Sequence, residues 1–483
     1  MTLNLDKRME LFKKYLNHTN MEHKEYQYEG VRWCLNNELR NKPPCNIRGG
    51  FVADEMGLGK TIMMIGLMYC NFLPHTLIIL PPVLIDQWYI QIYRTTGHKA
   101  LIYHGEKKKT INLDQLSSAK IVIATYAAVT ITKQQIKSKT LGLLHKVKWA
   151  RIIFDEAHHL RNSKTTRYFG ARLLSSNIRW LVSGTPIQNR KEDFYNLCAQ
   201  LRMPANFYTN SDNLMLLARS FILKRTKKRI GMYMTDINIE NNVVEWLSSK
   251  EKALSEELHS ALSFSNVNSE KWVGKPIVSA FRQKGILNLM LRAKQSCIYP
   301  KLMTKKLGEL MDYSSYKEAF EHNSKLTAVI NSIVGRKNNG NGKLIFCHFR
   351  EEIDEIALKL RQAGINKIAT FDGRTTNTKR FGILNEKNEV LILQIQTGCE
   401  GLNLQDNYNE IYFVSPHWNP AVEEQAIARC HRIGQTKPVY VKRFQMSPFA
   451  PLSDDDITTK TIDKYVKDVQ TGKRIVASEI IAD

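Results

Sequence analysis

Three observations predict an α/β fold of two lobes, each a parallel sheet flanked by helices, with a helical insertion between them. Short apolar, β-branched runs alternate with helical stretches in residues 25–229, and do so again after residue 343. Buried strands separated by helices are typical of doubly wound parallel sheets. The segment between these regions is mostly helical in pattern. At 483 residues the chain is also too long for one hydrophobic core.

Five strands are expected in each lobe, because short β-branched runs there are bounded by polar or Gly-containing segments. In the first lobe they are Gly50–Ala53, Thr76–Leu80, Ile121–Ala124, Arg151–Phe154 and Arg179–Val182. In the second lobe they are Lys343–Cys347, Lys367–Phe371, Val390–Gln394, Glu410–Val414 and Val439–Arg443. Ligands of such sheets bind beyond the carboxyl ends of the strands, so chemistry is expected there.

The remaining segments are predicted to be helical or irregular. An amphipathic helix precedes the first lobe, with Leu5, Met9, Phe12 and Leu16 on its apolar face. The other expected elements are an extended arm at Met232–Leu247, helices at Ser249–Leu262, Gly285–Ala293 and Thr461–Val469, a polar loop at Arg336–Lys343 and an acidic stretch at Ser453–Asp456. The expected domains are 1–24 (N-terminal helix), 25–230 (first lobe), 231–336 (helical insertion and linker), 337–446 (second lobe) and 447–483 (C-terminal helix).

The balance of charge is unusual. The chain carries 70 Lys and Arg against 46 Asp and Glu, a formal net charge of +24. Such a surplus costs stability by self-repulsion, and a polyanionic partner such as nucleic acid is the commonest reason to carry it. A Lys-rich soluble surface is the alternative.

Cysteine usage and hydropathy exclude other classes. The eight cysteines form no C-x-x-C pair, which argues against a zinc ribbon, a RING or a disulfide framework and favours a reduced, intracellular protein. The first 16 residues mix charges into their apolar positions, unlike a signal peptide. The most apolar stretch, Leu77–Ile85, is far shorter than the roughly 20 residues that span a bilayer. We expect a soluble protein without a membrane segment.

A phosphate-binding loop is predicted at residues 53–61, ADEMGLGKT, between a strand and a helix. Such a loop needs small residues whose backbone N–H groups turn onto the phosphates, a Lys for the β- and γ-phosphates, and a hydroxyl for Mg²⁺. Gly57, Gly59, Lys60 and Thr61 meet these needs, and the helix N-terminus adds its positive end. Asp54 stands where the usual motif has its first Gly, so a chance match is the alternative.

The string IIFDEAH, residues 152–158, delivers two adjacent carboxylates at the end of an apolar strand. We expect Asp155 to hold Mg²⁺ and Glu156 to orient and deprotonate the attacking water. The alternative is an acidic pair that caps the following helix.

Two arginines in EQAIARCHRIGQ, residues 424–435, are expected to complete the site. Arg429 and Arg432 lie three apart, which predicts that they share one face of a helix and point into the same cleft. A guanidinium that reaches the γ-phosphate stabilises transition-state charge and is worth roughly 10³–10⁵ in rate. By itself, an R-x-x-R helix is more typical of a solvated face.

Together these strings resemble the Swi/Snf-type DNA translocases, a branch of the superfamily-two helicase-like ATPases with two RecA-like lobes. YQYEGVRW (26–33) resembles the adenine-recognition motif of that family, and the family shares the Asp at position 54. LIILPPVLIDQW (77–88) and IVIATYAAV (121–129) resemble segments that touch a DNA strand, and SGTPIQN (183–189) the motif that couples hydrolysis to DNA. KLIFCHF (343–349), FDGRT (371–375) and GCEGLNL (398–404) match the second lobe, LRAKQSCIYPKL (291–302) the helical insertion, and HWNPAVEEQAIARCHRIGQTKPV (417–439) is the most specific string.

Finer features, such as WNPAVEEQA (418–426) and the Arg-Trp pair before SGTP, resemble the subgroup of RING-bearing repair translocases and the lodestar-type factor, and Swi/Snf-like proteins of large DNA viruses. The chain departs from the family in having no RING cysteines. Gln394, Ile395, Gln396 and Cys399 also replace small and hydroxyl residues of a second-lobe string.

The resemblance implies site residues. ATP would be held by Gln27, Asp54, Gly57, Gly59, Lys60, Thr61, Gly401 and Gln425. Mg²⁺ would be held by Thr61 and Asp155. The catalytic residues would be Lys60, Asp155, Glu156, Arg429 and Arg432. Double-stranded DNA would be contacted by Thr125, Lys224, Arg225, Lys227, Asn403 and Trp418. The alternatives are a nuclear localisation signal for the basic string KRTKKR (224–229) and a core aromatic for Trp418.

The implied function is that of a DNA-dependent ATPase, a monomeric translocase that moves along double-stranded DNA and shifts or removes bound proteins such as nucleosomes or stalled RNA polymerase. Its expected place is the nucleus, or a cytoplasmic virus factory or virion if the chain is viral. One alternative is a DEAH-type helicase that unwinds RNA or DNA, which would lack WNPAVEEQA and the helical insertion. Another is an inactive DNA-binding scaffold, which the full set of catalytic residue types disfavours.

Overall fold

The structure is a computed structural model. It describes residues 2–480 except 139, 185–189, 266–275, 283–284, 377–381, 384–385, 399–401 and 450–458. The chain divides into two compact units. The N-terminal unit comprises residues 1–233 and 475–483, and the C-terminal unit comprises residues 234–474.

The N-terminal unit is built on a seven-stranded parallel sheet in the order β3-β4-β2-β5-β6-β1-β7. Its strands are β1 (Arg48–Val52), β2 (Thr76–Leu80), β3 (Leu101–Tyr103), β4 (Ile121–Thr125), β5 (Lys148–Asp155), β6 (Ser175–Val182) and β7 (Ile222–Leu223). Its helices are α1 (Thr2–His18), α2 (Glu25–Leu39), α3 (Lys60–Cys70), α4 (Ile85–Thr96), α5 (Leu113–Ser118), α6 (Lys133–Lys137), α7 (Leu143–Lys146), α8 (Thr166–Leu173), α9 (Lys191–Gln200), α10 (Ala205–Tyr208) and α11 (Leu214–Phe221).

Helices cover both faces of this sheet, which explains why its central strands are apolar throughout. Every residue of β2 and β4 is buried, and one hydrophobic cluster lies on each face. The predicted amphipathic helix is confirmed as α1, whose Met9, Phe12 and Leu16 are fully buried in one of the clusters. The five predicted strands are confirmed. The short strands β3 and β7 were not predicted, since two or three half-buried residues carry little pattern.

The C-terminal unit contains a six-stranded parallel sheet in the order β10-β11-β9-β12-β13-β8. Its strands are β8 (Ile237–Val244), β9 (Lys343–Cys347), β10 (Ile368–Phe371), β11 (Val390–Gln394), β12 (Glu410–Phe413) and β13 (Val439–Met446). Its helices are α12 (Ser249–Ser260), α13 (Pro276–Arg282), α14 (Ile286–Ile298), α15 (Thr304–Gly308), α16 (Lys317–Glu321), α17 (Ser324–Val334), α18 (Arg350–Gln362), α19 (Ile395–Gly398), α20 (Pro420–Ile427) and the part of α21 (Ile462–Ile480) up to residue 474.

The extended arm predicted at Met232–Leu247 contains β8, which pairs in parallel with all eight residues of β13. It is an edge strand, and most of its side chains are exposed. The predicted helices of the insertion are confirmed as α12 and α14, and the final predicted helix begins α21. The acidic stretch Ser453–Asp456 lies outside the described residues.

The polar loop Arg336–Lys343 is tied to the sheet by one buried carboxylate. Glu410 is 1% exposed and accepts hydrogen bonds from Arg336 (2.6 Å), Asn339 (2.6 Å) and Asn341 (3.0 Å). The loop therefore has a fixed course despite its composition. In the residues that the structure describes, no helix combines the length and apolar character needed to cross a membrane.

Candidate ATP-hydrolysis site of the N-terminal unit

The phosphate loop connects β1 to α3 through two left-handed glycines. Gly57 has φ +92° and Gly59 has φ +79°, a region that side chains rarely adopt. A Cβ on Gly59 would also lie 2.4 Å from Gln27 Nε2, so both the backbone and the packing require glycine. The helix begins at Lys60, which directs its free N–H groups toward the loop. This is the geometry of an anion-binding site.

Lys60, Thr61 and Gln27 lie around this loop. Lys60 Nζ donates to the backbone oxygens of Asp54 (2.8 Å) and Glu55 (3.3 Å). Thr61 lies in the first turn of α3. Gln27, on α2, is 5% exposed, and its Nε2 donates to Leu58 O (3.2 Å). The predicted adenine-recognition residue and the phosphate loop are therefore in direct contact.

The two carboxylates of the DEAH string lie at the end of β5, the central strand of the sheet. Asp155 is buried, and Glu156 has φ +50° and ψ 50°, the left-handed conformation that a non-glycine residue adopts at a cost. This conformation ends the strand abruptly. Burial, followed by the neighbouring Glu156 charge, raises the pKa of Asp155, while the nearby Lys60 lowers it.

Two aromatic residues hold Asp155, and the sequence analysis did not assign them to the site. Trp88 Nε1 donates to Asp155 Oδ2 (2.7 Å), and Tyr126 Oη donates to Asp155 O (2.7 Å). Both belong to strings that resemble DNA-touching segments. Their place in the sequence could have indicated a role in the site. Each follows the carboxyl end of a strand, β2 or β4, and these two strands lie next to each other beside β5.

His158 links the DEAH string to the SGTPIQN string. Its Nδ1 lies 3.3 Å from Glu156 Oε2 and 3.4 Å from Ser183 Oγ. Next along the chain, a Cβ on Gly184 would lie 3.3 Å from Lys60 Nζ and 3.4 Å from Asp54 O. The start of the SGTPIQN string thus lies beside the phosphate loop and contacts His158, which in turn contacts the Glu156 carboxylate. Residues 185–189 of that string lie outside the described residues.

The donors present fit a magnesium ion. Mg²⁺ is usually held by one or two carboxylates together with substrate phosphates, and it prefers hard oxygen ligands. Asp155 is a buried carboxylate whose two hydrogen bonds come from an indole and from the Glu156 backbone N–H (3.0 Å), not from a cation. Thr61 offers a hydroxyl. Within the described ranges, no group of three or more His, Cys, Asp or Glu forms an all-protein metal site.

Two residues of the basic string 224–229 are more buried than a DNA-contact surface would be, whereas Lys228 and Arg229 are exposed. Arg225 is 9% exposed and Lys227 is 7% exposed, and each forms an ion pair with a carboxylate of the phosphate loop. Lys224 is half-buried. Arg225 and Lys227 were expected to touch DNA, but both side chains form ion pairs inside the N-terminal unit.

The other predicted DNA contacts are also mostly covered. Thr125 ends β4 and is 2% exposed, with its Oγ1 3.5 Å from His104 Nδ1. The half-buried Trp418 ring packs edge-on against Tyr465, with centroids 6.1 Å apart. This contact is the one expected of the alternative, a core aromatic.

Arg429 and Arg432 do not share a helix, which corrects the sequence-based expectation. Helix α20 ends at Ile427, and the chain continues in tight turns. The reason is tertiary: Leu404 N donates to Arg429 O (3.1 Å), and Gln435 Nε2 donates to Cys430 O (3.3 Å), so these carbonyls are engaged outside the helix.

Arg432 Nη1 donates to Asn403 Oδ1, and burial lowers the pKa of Arg432. These two predicted site residues therefore contact each other. Gln425 is buried on α20. Gly401 lies outside the described residues.

Comparison with known proteins gives a family. The model of the SNF2-related domain matches residues 26–331, which is more than half of the chain, and the model of the helicase conserved C-terminal domain matches residues 324–434. The chain belongs to the SNF2-related family. Its resemblance to the Swi/Snf-type branch is confirmed, and as a member of this family it is an ATPase.

The relatives of this SNF2-related chain differ in length. It is 27% identical over 482 residues to the probable global transactivator of Orgyia pseudotsugata multicapsid polyhedrosis virus, with 94% of this chain and 91% of that protein covered. It is 26% identical over 474 residues to the ATP-dependent DNA helicase DDM1 of Arabidopsis thaliana, with 87% and 58% covered. It is 23% identical over 599 residues to the DNA repair protein RAD5B of the same plant, with 90% and 46% covered.

The chain thus spans nearly all of the viral relative but about half of each plant protein. Among solved structures, the Sulfolobus solfataricus SWI2/SNF2 ATPase core in complex with dsDNA is 23% identical, with a TM-score of 0.39 and 94% and 92% of the two chains covered.

Proposed function

We propose that this SNF2-related ATPase is a DNA-dependent translocase that moves along double-stranded DNA and shifts or removes bound proteins such as nucleosomes or stalled polymerase. The observation that carries the proposal is the contact of His158 with both Glu156 (3.3 Å) and Ser183 (3.4 Å), the first residue of the string that resembles the family motif coupling hydrolysis to DNA. Contacts of this kind support hydrolysis that responds to DNA.

Charge and kinship support DNA as the partner. The net charge of +24 suits a polyanion, and phosphate contacts carry no base-sequence information. Two of the relatives are named as a DNA helicase and a DNA repair protein. We therefore expect binding without sequence preference and with a steep dependence on salt.

Each predicted ATP-site residue of the N-terminal unit has a role in the proposal. Gln27 binds the adenine base, and the loop from Asp54 to Gly59 wraps the phosphates with its backbone N–H groups. Lys60 binds the β- and γ-phosphates. Thr61 and Asp155 hold Mg²⁺, which neutralises phosphate charge when bound. Glu156 orients the attacking water and accepts its proton, while His158, 3.3 Å away, positions the Glu156 carboxylate.

Residues of the C-terminal unit and the predicted DNA contacts complete the proposal. Arg429 and Arg432 stabilise the charge that develops on the γ-phosphate, and Gly401 and Gln425 assist nucleotide binding. Thr125, Lys224, Asn403 and Trp418 contact the duplex. For Thr125 and Trp418, a local backbone contact is enough, since their side chains are largely covered.

The first experiment measures ATP hydrolysis with duplex DNA, single-stranded DNA, RNA or no nucleic acid. Duplex DNA should stimulate most, and Glu156→Gln should keep ATP binding while losing the stimulated hydrolysis. The matched control is Glu106→Gln, at an exposed glutamate paired with Lys109 (2.6 Å) on a surface turn, which should leave hydrolysis unchanged. Greater stimulation by RNA, or full turnover in Glu156→Gln, would contradict the proposal.

The second experiment separates translocation from unwinding. A third strand annealed to a duplex is displaced by a motor that tracks along the duplex without opening it. We expect ATP-dependent triplex displacement and no release of a strand from the duplex itself. Release of the duplex strand would instead support a DEAH-type unwinding helicase.

A further inference from the structure

A segment at the end of the N-terminal unit runs beside the phosphate loop. Strand β7 pairs in parallel with β1, and the contact continues past both strands. Ala53 N donates to Leu223 O (2.7 Å), and Glu55 N donates to Arg225 O (2.9 Å). We call residues 223–227 the strap. Its backbone fixes the course of the first half of the phosphate loop.

Two side chains of the strap bind the loop as well. Arg225 forms a two-pronged ion pair with Asp54, with Nε 3.1 Å from Oδ1 and Nη2 2.5 Å from Oδ2. Asp54 is fully buried. Lys227 N donates to Glu55 Oε2 (2.8 Å), and Lys227 Nζ lies 3.2 Å from Glu55 Oε1. Both acidic residues of the loop are therefore paired with the strap.

The guanidinium of Arg225 also connects the loop to α2. Its Nη1 donates to the backbone oxygen of Tyr26, and its Cζ lies 5.5 Å from the centroid of the Tyr26 ring. A Cβ on Gly30 would lie 2.7 Å from Nη2 and 2.6 Å from Met63 Sδ. The missing side chain at residue 30 makes the room in α2 that the guanidinium occupies.

The phosphate loop is thus held at both ends by groups on or against α2. Arg225 holds Asp54 at its start, and Gln27 holds the Leu58 carbonyl near its end. The carbonyls of Asp54 and Glu55 are in turn the acceptors of Lys60 Nζ. The strap therefore sets the position of the phosphate-binding lysine.

Electrostatics gives the pair a second effect. A buried carboxylate at position 54 without a partner would be costly and would repel the triphosphate. Arg225 neutralises it, so the loop keeps the net positive charge that Lys60 and the N-terminus of α3 supply. Asp54 can stand where other phosphate loops have glycine because its side chain is fully buried in this ion pair.

We infer that Arg225 is a positioning residue for ATP binding, and that the Arg225–Asp54 ion pair holds the phosphate loop in its binding conformation. This places Arg225 apart from the DNA contacts that the basic string suggested. The inference rests on ATP hydrolysis alone and is independent of translocation.

The test compares ATP and DNA as ligands of the same variants. We measure the KM for ATP in basal hydrolysis, the affinity for a fluorescent ATP analogue, and the affinity for duplex DNA, using the full chain. Arg225→Met should raise the KM for ATP at least about tenfold with a smaller change in kcat, and should leave the DNA affinity within about twofold. Arg225→Lys, which keeps the charge without the two-pronged geometry, should fall between the variant and the native chain.

Two further variants distinguish an effect on the phosphate loop from a loss of folding. Lys109→Met removes an exposed ion pair with Glu106 (2.6 Å) on a surface turn of the same unit, and it should leave the KM for ATP unchanged. Gly30→Ala keeps both charges but pushes a methyl group against Arg225 Nη2, and it should raise the KM for ATP several-fold without loss of secondary structure.

A double-variant cycle decides whether the pair acts as a unit. Asp54→Asn with Arg225→Gln should raise the KM for ATP by less than the product of the two single effects, because no unpaired charge is left. Multiplying effects would overturn the inference. So would Arg225→Met that weakens DNA binding and leaves ATP binding intact, or an unchanged KM in both Asp54→Asn and Gly30→Ala. Loss of DNA stimulation with these ATP effects intact would affect only the translocase proposal.

Discussion

The indole of Trp88 donates a hydrogen bond of 2.7 Å to the carboxylate of Asp155, and both side chains are buried. Trp88 lies on α4, which follows β2, and Asp155 ends the adjacent strand β5. The contact orients a carboxylate that would otherwise have few donors. It also favours the ionised form, since hydrogen bonding by Trp88 lowers the pKa of Asp155 against the upward effects of burial and Glu156.

Trp88→Phe keeps an aromatic ring and removes the donor. Hydrogen bonds to charged groups are worth about 1.5–3 kcal/mol, so the apparent Mg²⁺ affinity should fall about tenfold or more. Because the pKa of Asp155 should rise further, the acid limb of the activity profile should move to higher pH, and raising the pH or the Mg²⁺ concentration should restore activity. Trp149→Phe is the control, because it removes a buried indole donor to Leu144 O (2.9 Å) that lies away from the site. It should change neither the apparent Mg²⁺ affinity nor the acid limb of the pH profile. An unshifted pH profile in Trp88→Phe would contradict the assignment.

Gly184→Ala should weaken ATP binding a few-fold, because a Cβ there would lie 3.0 Å from Met56 Cγ and 3.3 Å from Lys60 Nζ. The methyl group displaces the ammonium that binds the phosphates. Titration with a fluorescent ATP analogue checks this. Gly142→Ala, whose Cβ would meet only His145 Nδ1 at 3.6 Å, is the control. Equal ATP affinities in the two variants would rule out contact between the SGTPIQN string and Lys60.

Glu38→Gln should lower the stability of the N-terminal unit by about 3–5 kcal/mol, the usual cost of an uncompensated buried charge. Glu38 is 2% exposed and accepts from Arg151 (2.6 and 2.5 Å), Asn71 (2.7 Å) and Trp180 (2.8 Å). Its loss leaves the buried Arg151 guanidinium without a counter-charge. Urea unfolding measures the effect. Asp6→Asn, at the exposed pair with Arg32, should cost less than about 1 kcal/mol, and similar losses in both variants would contradict the prediction.

The stabilising contribution of neutral His259 to the C-terminal unit should be lost as the pH drops from about 6.5 to about 4, while Glu352, whose pKa burial raises to about 7, acts in the opposite direction. His259 is fully buried, and burial lowers its pKa to about 4. Its Nε2 accepts from Ile462 N (2.9 Å), and its Nδ1 lies 2.7 Å from Ser255 O, which defines the neutral form that donates from Nδ1. Between these pH values the unfolded chain binds the proton and the folded chain does not, so stability present above pH 6.5 is lost on acidification.

Thermal unfolding across that range measures the slope. The half-buried His348, whose pKa burial also lowers, adds to it in the same direction. His259→Gln should reduce the slope while lowering stability at all pH values, and His18→Gln, at an exposed histidine of α1, should leave the slope unchanged. Equal slopes in His259→Gln and in the native chain would contradict the prediction.

The sequence by itself determined the main strands of the two sheets and predicted the hydrolytic residues. Strands such as Thr76–Leu80 and Val390–Gln394 were predicted residue for residue, because a strand covered by helices on both faces must be apolar along its whole length. Lys60, Asp155 and Glu156 were predicted because their chemistry depends on residue type at a fixed place beside a strand.

Edge strands and helix ends were less predictable. Strand β8 has an alternating pattern that indicates only extended chain, since its partner β13 lies about 200 residues further on. Beyond the last residue of α20, Ile427, the carbonyls of Arg429 and Cys430 accept hydrogen bonds from Leu404 and Gln435, and these tertiary bonds hold the turns that follow the helix. Local spacing therefore predicted a shared helix for Arg429 and Arg432 where tertiary hydrogen bonds form turns.

Tertiary structure alone decided which partners the charged side chains bind. A basic string suits both a surface and a set of buried ion pairs, and only the position of residues 223–227 beside the phosphate loop assigns Arg225 to Asp54 and Lys227 to Glu55. Likewise, no local pattern pairs Trp88 with Asp155. Residue types and periodicity specify which elements form, because those depend on near neighbours in the chain; the partner of a buried charge depends on packing between segments far apart in sequence.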